Sequence, residues 1–167
     1  MKTLGLVFLF VTTALIRAQA PPPAELRDPF LDNFIGNWRV ERKMGSGRTI
    51  ETSVRGEWIL KHHFIRLHYG DGEASPEYEA FVFIGYDSSE KSYVCYWLDI
   101  YGASLAYPRP GIAKLENNAI ELHWKSKDGE LTNKFTFYPE NKSWTSLIRQ
   151  TEKGEWKTFA EEKWTRR

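Results

Sequence analysis

The fold of this chain is decided by stretches such as Trp38-Arg39-Val40-Glu41-Arg42-Lys43, in which two sets of side chains alternate. Trp38, Val40 and Arg42 form one set, and the other set consists of charged residues alone. Successive side chains of an extended strand point to opposite faces of a sheet, so a period of two predicts one face toward a core and one toward solvent. The stretch therefore indicates a half-buried β-strand.

The same period recurs along most of the chain. It is found at 50–55, 64–69, 93–101, 120–125, 134–138 and 156–161. In the last of these, one set comprises Trp156, Thr158 and Ala160. Turn signals separate the stretches, among them 45–47, 70–72, 87–89, 116–118, 127–129, 139–142 and 152–154. Short strands at such spacing, with closure to remove unpaired edges, predict an all-β domain: a closed antiparallel up-and-down barrel of about ten strands.

The first 20 residues differ in character from the rest. A basic start, Met1-Lys2, precedes a mostly apolar run from Leu4 to Ile16, and small residues follow at Ala18-Gln19-Ala20. These features are typical of a secretory signal peptide. A membrane-spanning helix needs about 20 apolar residues, and this run is shorter. We therefore predict export to the periplasm or the cell exterior, with a signal peptide at 1–20 cleaved near Ala20, a proline-rich segment at 21–32 and a barrel domain at 33–167.

The composition narrows the classes of partner. Without 1–20, the chain keeps 21 of its 23 basic residues against 22 acidic ones, and no run of like charge stands out. A balanced surface gives no indication of nucleic-acid binding, and we predict no membrane span in the mature domain. Cys95 is the only cysteine and cannot form an internal disulfide, so stability depends on the core. We predict no cofactor, and the oligomeric state is left open.

Two groups of residues carry a resemblance to known proteins. The first strand opens with Gly36-Asn37-Trp38, which resembles the N-terminal Gly-x-Trp signature of lipocalins and the wider calycin group. With 56–60, 83–87, 93–102 and the late hairpins, the chain is similar, over roughly residues 29 to 167, to an uncharacterised bacterial family of lipocalin-like proteins known mainly as a domain of unknown function. The resemblance implies a barrel of the lipocalin or fatty-acid-binding-protein kind. It also implies that Trp38 plugs one end, beneath a basic residue of a late strand, for which the candidates are Arg149, Arg166 and Arg167.

A barrel of this size can enclose one small ligand, so the inward-facing residues are the candidate site. For the strand at 62–69 two alternatives stay open. If Arg66 and His68 face the interior, they lie in an aromatic cavity and suit a carboxylate head group. If Ile65 and Leu67 fill the core instead, Arg66 and His68 face solvent, which ordinary alternation favours.

Trp97 and Asp99 raise the same question, because they share a face of one strand. Inside the barrel, Asp99 could pair with Arg66 or hold a ligand hydroxyl. At the strand end it would face water, which is equally common for an isolated acid. The candidate ligand-binding residues are Trp38, Arg66, His68, Trp97, Asp99 and Trp124.

The sequence predicts neither a metal site nor a catalytic residue. His62 and His63 are adjacent and point to opposite faces, whereas His62 and His68 are about 20 Å apart at about 3.3 Å per residue. His123 could join one of them across the sheet, but no ligand spacing in the sequence fixes that. The chain also contains no Gly-x-Ser-x-Gly, His-Glu-x-x-His or phosphate-loop motif.

The leading hypothesis is a non-enzymatic protein that binds a small apolar or amphipathic molecule, such as a lipid or fatty acid, in the barrel. The first alternative is a barrel-cavity enzyme, an isomerase or hydrolase, with Arg66, His68 and Asp99 as its polar centre. The second is a structural or interaction protein with a filled barrel and no ligand. An internal cavity, and whether those three residues reach it, distinguishes the hypotheses.

Overall fold

The computed structural model describes residues 24–103, 107–126 and 129–167, so the predicted signal peptide at 1–20 lies outside the described residues. Within these ranges the chain forms one short helix and eleven strands. They are α1 (Pro29–Asp32), β1 (Gly36–Met44), β2 (Thr49–Ile59), β3 (Phe64–Tyr69), β4 (Ala80–Asp87), β5 (Ser92–Asp99), β6 (Gly111–Ala113), β7 (Leu115–Glu116), β8 (Ala119–Ser126), β9 (Gly129–Tyr138), β10 (Ser143–Glu152) and β11 (Glu155–Arg166). No described helix is long and apolar enough to cross a bilayer.

The strands form one antiparallel sheet that closes on itself. Its order runs from β6 through β5, β4, β3, β2 and β1 to β11, and then through β10 and β9 to β8. Pairing of Ile112 in β6 with His123 in β8 closes the ring. The short β7 pairs with β8 in the same register and continues the line of β6. The described residues therefore form a closed barrel of ten strands, which confirms the predicted all-β fold.

The predicted alternation sets the two faces of most strands. In β1, Trp38, Val40 and Arg42 are buried while the charged residues between them are exposed. In β3 the buried residues are Ile65, Leu67 and Tyr69. Each strand therefore turns one set of alternate residues into the barrel, and the core is the barrel interior.

The alternation changes phase within β11. Ile148 of β10 pairs with Ala160, but Arg149 pairs with Thr158, so Phe159 is an extra residue that has no partner in β10. This is a β-bulge, and residues on its two sides continue on opposite faces. The prediction that Trp156 and Thr158 share the face of Ala160 is therefore wrong.

Aromatic side chains fill the end of the barrel at which β1 begins. Phe30 and Phe34, from α1 and the turn after it, enter from below. The Phe34 ring stacks on Trp144 with centroids 3.8 Å apart and meets Trp164 edge-on. The Trp38 indole is fully buried there, and its N–H donates to the Phe34 carbonyl oxygen at 2.8 Å. This end is the closed end of the barrel.

Arg166 of β11 covers the plug. Its guanidinium carbon lies 4.0 Å from the centre of the Trp38 ring, and one of its nitrogens donates to the Ile35 carbonyl oxygen. Gly36 has φ +123°, and a Cβ at this position would collide with the Arg166 side chain. Of the three arginines considered for this position, Arg166 is the one that packs over Trp38, while Arg149 lies over Trp156.

The helix α1 is held by its N-cap. The Asp28 carboxylate accepts hydrogen bonds from the backbone N–H groups of Phe30 at 2.9 Å and Leu31 at 3.0 Å. Pro29 follows directly, at a position where its missing N–H costs nothing. The other Asp28 oxygen accepts the Tyr93 hydroxyl at 2.8 Å, which ties the helix to β5.

Candidate ligand-binding cavity

The half of the barrel away from α1 is hollow. It encloses a cavity of about 830 Å³. The cavity mouth is bordered by Ser46 and Arg48 of the β1–β2 turn, by Glu77 and Tyr78 before β4, and by the residues that follow β5. Small-molecule sites typically measure about 300–1,000 Å³, so this cavity has room for one small organic molecule.

Its walls are largely aromatic and aliphatic. Trp97 and Trp124 meet edge-to-face with centroids 6.3 Å apart, and Leu131 of β9 and Ile148 of β10 continue the wall beside Trp124. The Trp124 ring lies directly against Gly111 in β6, where any Cβ would collide with it. A glycine in the short β6 is therefore what allows this indole to form part of the wall.

A buried ion pair joins directly opposite residues of the neighbouring strands β1 and β11. The Glu162 carboxylate accepts a hydrogen bond from Arg42 Nε at 2.7 Å. Arg42 Nη2 also lies 2.5 Å from that carboxylate. Only 6% of the Arg42 side chain and none of the Glu162 side chain is exposed. Burial lowers the pKa of Arg42. The Glu162 carboxylate, together with Tyr69 and Tyr78, raises this pKa by a larger amount, so the net pKa lies above its ordinary value.

A second polar pair lies on the neighbouring strands. Ser146 of β10 donates its hydroxyl proton to Asn133 Oδ1 of β9 at 2.7 Å. Asn133 lines the cavity and is 1% exposed. Its amide nitrogen has no hydrogen-bond partner among the described residues. A buried donor left unpaired costs about 1–3 kcal/mol, so an acceptor placed in the cavity would gain from it.

At the mouth, a chain of hydrogen bonds joins two predicted site residues, Trp97 and Asp99, through Tyr78, which was not predicted. The Trp97 indole N–H donates to the Tyr78 hydroxyl oxygen at 2.8 Å, and that hydroxyl donates to Asp99 Oδ2 at 3.1 Å. The Arg42 guanidinium lies 4.5 Å from the centre of the Tyr78 ring. Burial raises the pKa of Tyr78, so the phenol keeps the proton that it donates to Asp99.

The structure brings only some of the predicted residues to the cavity. Trp97, Asp99 and Trp124 line it, whereas Trp38 belongs to the packed closed end. Arg66 and His68 lie on the outer face of β3, because Ile65, Leu67 and Tyr69 fill the interior. The alternative that placed Arg66 and His68 inside the barrel is therefore corrected.

The two outward residues have partners of their own. Arg66 pairs with Glu57 on β2, and the His68 ring nitrogens lie 3.0 Å from Asp71 and 3.3 Å from Glu79. The cavity therefore contains Asp99 without Arg66 or His68. The polar centre that the enzyme hypothesis required is not assembled.

The most buried polar residues of the cavity were not predicted as a site. Arg42 stood in the same alternating set as Trp38 and Val40, which was a signal that it points inward. Asn133 precedes Phe135 by two residues, so extending that strand backward would have placed it inside as well. Glu162 gave a weaker signal, because the bulge at Phe159 disturbs the alternation before it.

The closed antiparallel barrel, plugged at one end and hollow at the other, is that of a lipocalin-like protein. The model of a family described as "Protein of unknown function (DUF1579)" matches residues 27–166. The chain therefore belongs to this family. No curated protein matches the chain.

Proposed function

We propose that this protein binds one small apolar or amphipathic molecule in the barrel cavity, and that binding rather than catalysis is its activity. The observation that carries the proposal is the cavity of about 830 Å³ with apolar walls and a few buried polar groups. This combination is typical of small-molecule sites. A barrel packed throughout, as it is around Trp38, would offer no such volume.

The apolar walls supply the driving force. Each methylene group transferred from water to an apolar surface contributes about 0.8 kcal/mol. A ligand with about ten methylenes would gain roughly 8 kcal/mol, from which the cost of association is subtracted. The polar groups on Arg42, Asn133 and Asp99 would then orient the ligand more than they would strengthen its binding.

The experiment uses Nile red, an uncharged dye whose fluorescence rises in apolar surroundings, with two variants of adjacent residues in β10. Ile148 lines the cavity, whereas Leu147 lies on the outer face. We expect Ile148→Trp to weaken dye binding at least roughly tenfold, which corresponds to about 1.4 kcal/mol, because the larger ring occupies the cavity. Leu147→Trp should bind like the wild type. Equal affinities of the two variants, or no dye binding to the wild type, would contradict the proposal.

We also propose that the protein is exported. The support is the basic, apolar and small-residue pattern of 1–20. N-terminal sequencing of the protein from its native host should find a chain that begins near Pro21, and a chain that retains 1–20 would contradict export.

A further inference from the structure

We propose that the cavity selects an uncharged amphiphile with a hydrogen-bond acceptor, such as a ketone, ester or amide carbonyl, and discriminates against carboxylates such as fatty acids. The inference rests on the proposed function and specifies the chemistry of the ligand. It follows from the charges around the cavity and from a buried amide donor left without a partner there.

The basic groups of the cavity are already neutralised. Arg42 is paired with Glu162, and Arg48 at the mouth lies 2.5 Å from Glu77. Asp99 has no basic side chain within ion-pair distance among the described residues. The groups that line the cavity, taken with Glu162, therefore carry a formal charge of about −1, contributed by Asp99.

An incoming carboxylate would meet no free positive charge. It would lose its hydration on entering the barrel, and transfer of an unpaired anion to such surroundings is strongly unfavourable. Arg42 could not compensate it fully, because Glu162 already lies against the same guanidinium and would repel a second carboxylate. A neutral ligand avoids both costs.

An unpaired donor identifies the polar group that fits. The Asn133 amide nitrogen has no hydrogen-bond partner among the described residues. Asn133 lines the cavity and is 1% exposed. A carbonyl oxygen accepts from such a donor without bringing a charge, so the cavity favours a neutral acceptor over either a carboxylate or a plain hydrocarbon.

The test compares three ligands of matched chain length, decane, 2-decanone and decanoate, by displacement of Nile red from the wild-type protein at pH 8, where decanoate is ionised. We expect 2-decanone to bind at least tenfold more tightly than decanoate and measurably more tightly than decane. Tighter or equal binding of decanoate, equal binding of decane, or displacement by none of the three while the dye binds would overturn this inference alone. Failure of the dye itself to bind would overturn the proposed function.

Variants then connect the preference with the Asn133 amide donor. Asn133→Leu combined with Ser146→Ala removes the amide donor and also its hydroxyl partner, so no new unpaired group is created. We expect this variant to bind decane as the wild type does and to lose its preference for 2-decanone. Leu147→Met, at the neighbouring position on the outer face of β10, should keep that preference.

Glu162→Gln tests the charge argument from the opposite direction. It leaves the Arg42 guanidinium without a counter-charge, so binding of decanoate relative to 2-decanone should rise at least tenfold. If this variant does not fold, the Asn133→Leu/Ser146→Ala variant and the wild-type series still decide the question. A folded Glu162→Gln protein with unchanged relative affinities would overturn the inference.

Discussion

Glu162 accepts hydrogen bonds from three side chains, each of which would be buried without a partner in its absence. Arg42 contacts one oxygen, while the Trp164 indole N–H at 2.9 Å and the Tyr69 hydroxyl at 3.4 Å contact the other. Two charges removed from water lose their hydration, and their mutual attraction repays this loss only when the geometry and the remaining hydrogen bonds are good. The pair therefore fixes the position of Arg42 beside the cavity more than it adds to net stability.

Removal of one member of the pair should be far more costly than removal of both. We expect Arg42→Met and Glu162→Gln each to lower the free energy of unfolding by roughly 3–5 kcal/mol, because each leaves a buried charge uncompensated. The double variant should lose much less than the two single variants together. Urea unfolding of the four proteins measures the coupling energy between the two side chains.

The exposed pair of Arg39 and Glu51 is a matched control. It also joins an arginine of β1 to a glutamate of a neighbouring strand, at 2.6 Å, but both side chains are more than half exposed. The same substitutions there should show a coupling energy of about 1 kcal/mol or less. A buried pair whose substitutions are simply additive would contradict the account of Arg42 and Glu162.

At the scale of elements, the loop between β3 and β4 borders the cavity mouth through Glu77 and Tyr78. Glu73 anchors this loop to β2, because its carboxylate accepts from the Ser53 backbone N–H at 2.7 Å and from the Thr52 hydroxyl at 3.0 Å. Burial raises the pKa of Glu73. Hydrogen bonds from Ser53 and Thr52 together lower this pKa by a larger amount, so the net pKa lies below its ordinary value of 4.5. The charged form is therefore the one that stabilises the folded state.

This sign determines how the anchor depends on pH. A carboxyl group whose pKa is lowered by folding contributes stability above its unfolded pKa and loses it as the pH falls through the folded pKa. We expect Glu73→Gln to lower the free energy of unfolding by on the order of 1 kcal/mol at pH 7, and the difference from the wild type to shrink as the pH falls below 4.5. Urea unfolding at pH 7 and pH 3 measures both differences.

Glu90→Gln is the control, because Glu90 lies exposed in the turn between β4 and β5. It should leave the free energy of unfolding nearly unchanged at both pH values. A Glu73→Gln difference that is as large at pH 3 as at pH 7 would show that the carboxylate charge plays no part in holding the loop.

The sequence predicts faces of strands well where only one alternate set is apolar. In β8, Ile120, Leu122 and Trp124 alternate with charged residues and histidine, and all three are buried. In β3 large side chains occur on both faces, so the pattern alone left the orientation of Arg66 open. The bulge at Phe159 could not be predicted, because the residue types at 156–161 do not show which residue is the extra one.

At the scale of the whole molecule, the barrel has two unlike halves. The chain before β1 sends Phe30 and Phe34 into one end, where they pack with Trp144 and Trp164. No described residue fills the other end in the same way, and the cavity remains there. The sequence predicted the closed barrel, but not which half is hollow, since that depends on where a separate segment packs.

The same limit applied to the cavity residues. Trp97, Asp99 and Trp124 were identified from alternation within single strands, whereas the pairing of Arg42 with Glu162 joins positions 120 residues apart. That contact exists only because β1 and β11 are neighbours in the closed ring. The polar groups that we propose to select the ligand are therefore a product of barrel closure, which local patterns do not specify.

NMR of the indole N–H groups tests whether the hollow half of the barrel holds the ligand. The chain has seven tryptophans, and each gives one indole signal, assigned by Trp→Phe variants. On titration of ¹⁵N-labelled protein with 2-decanone, we expect shifts for Trp97 and Trp124, which line the cavity, and none for Trp38, Trp144 and Trp164 at the closed end. Unshifted Trp97 and Trp124 signals at saturating ligand, or shifts confined to the other indoles, would contradict binding in the hollow half.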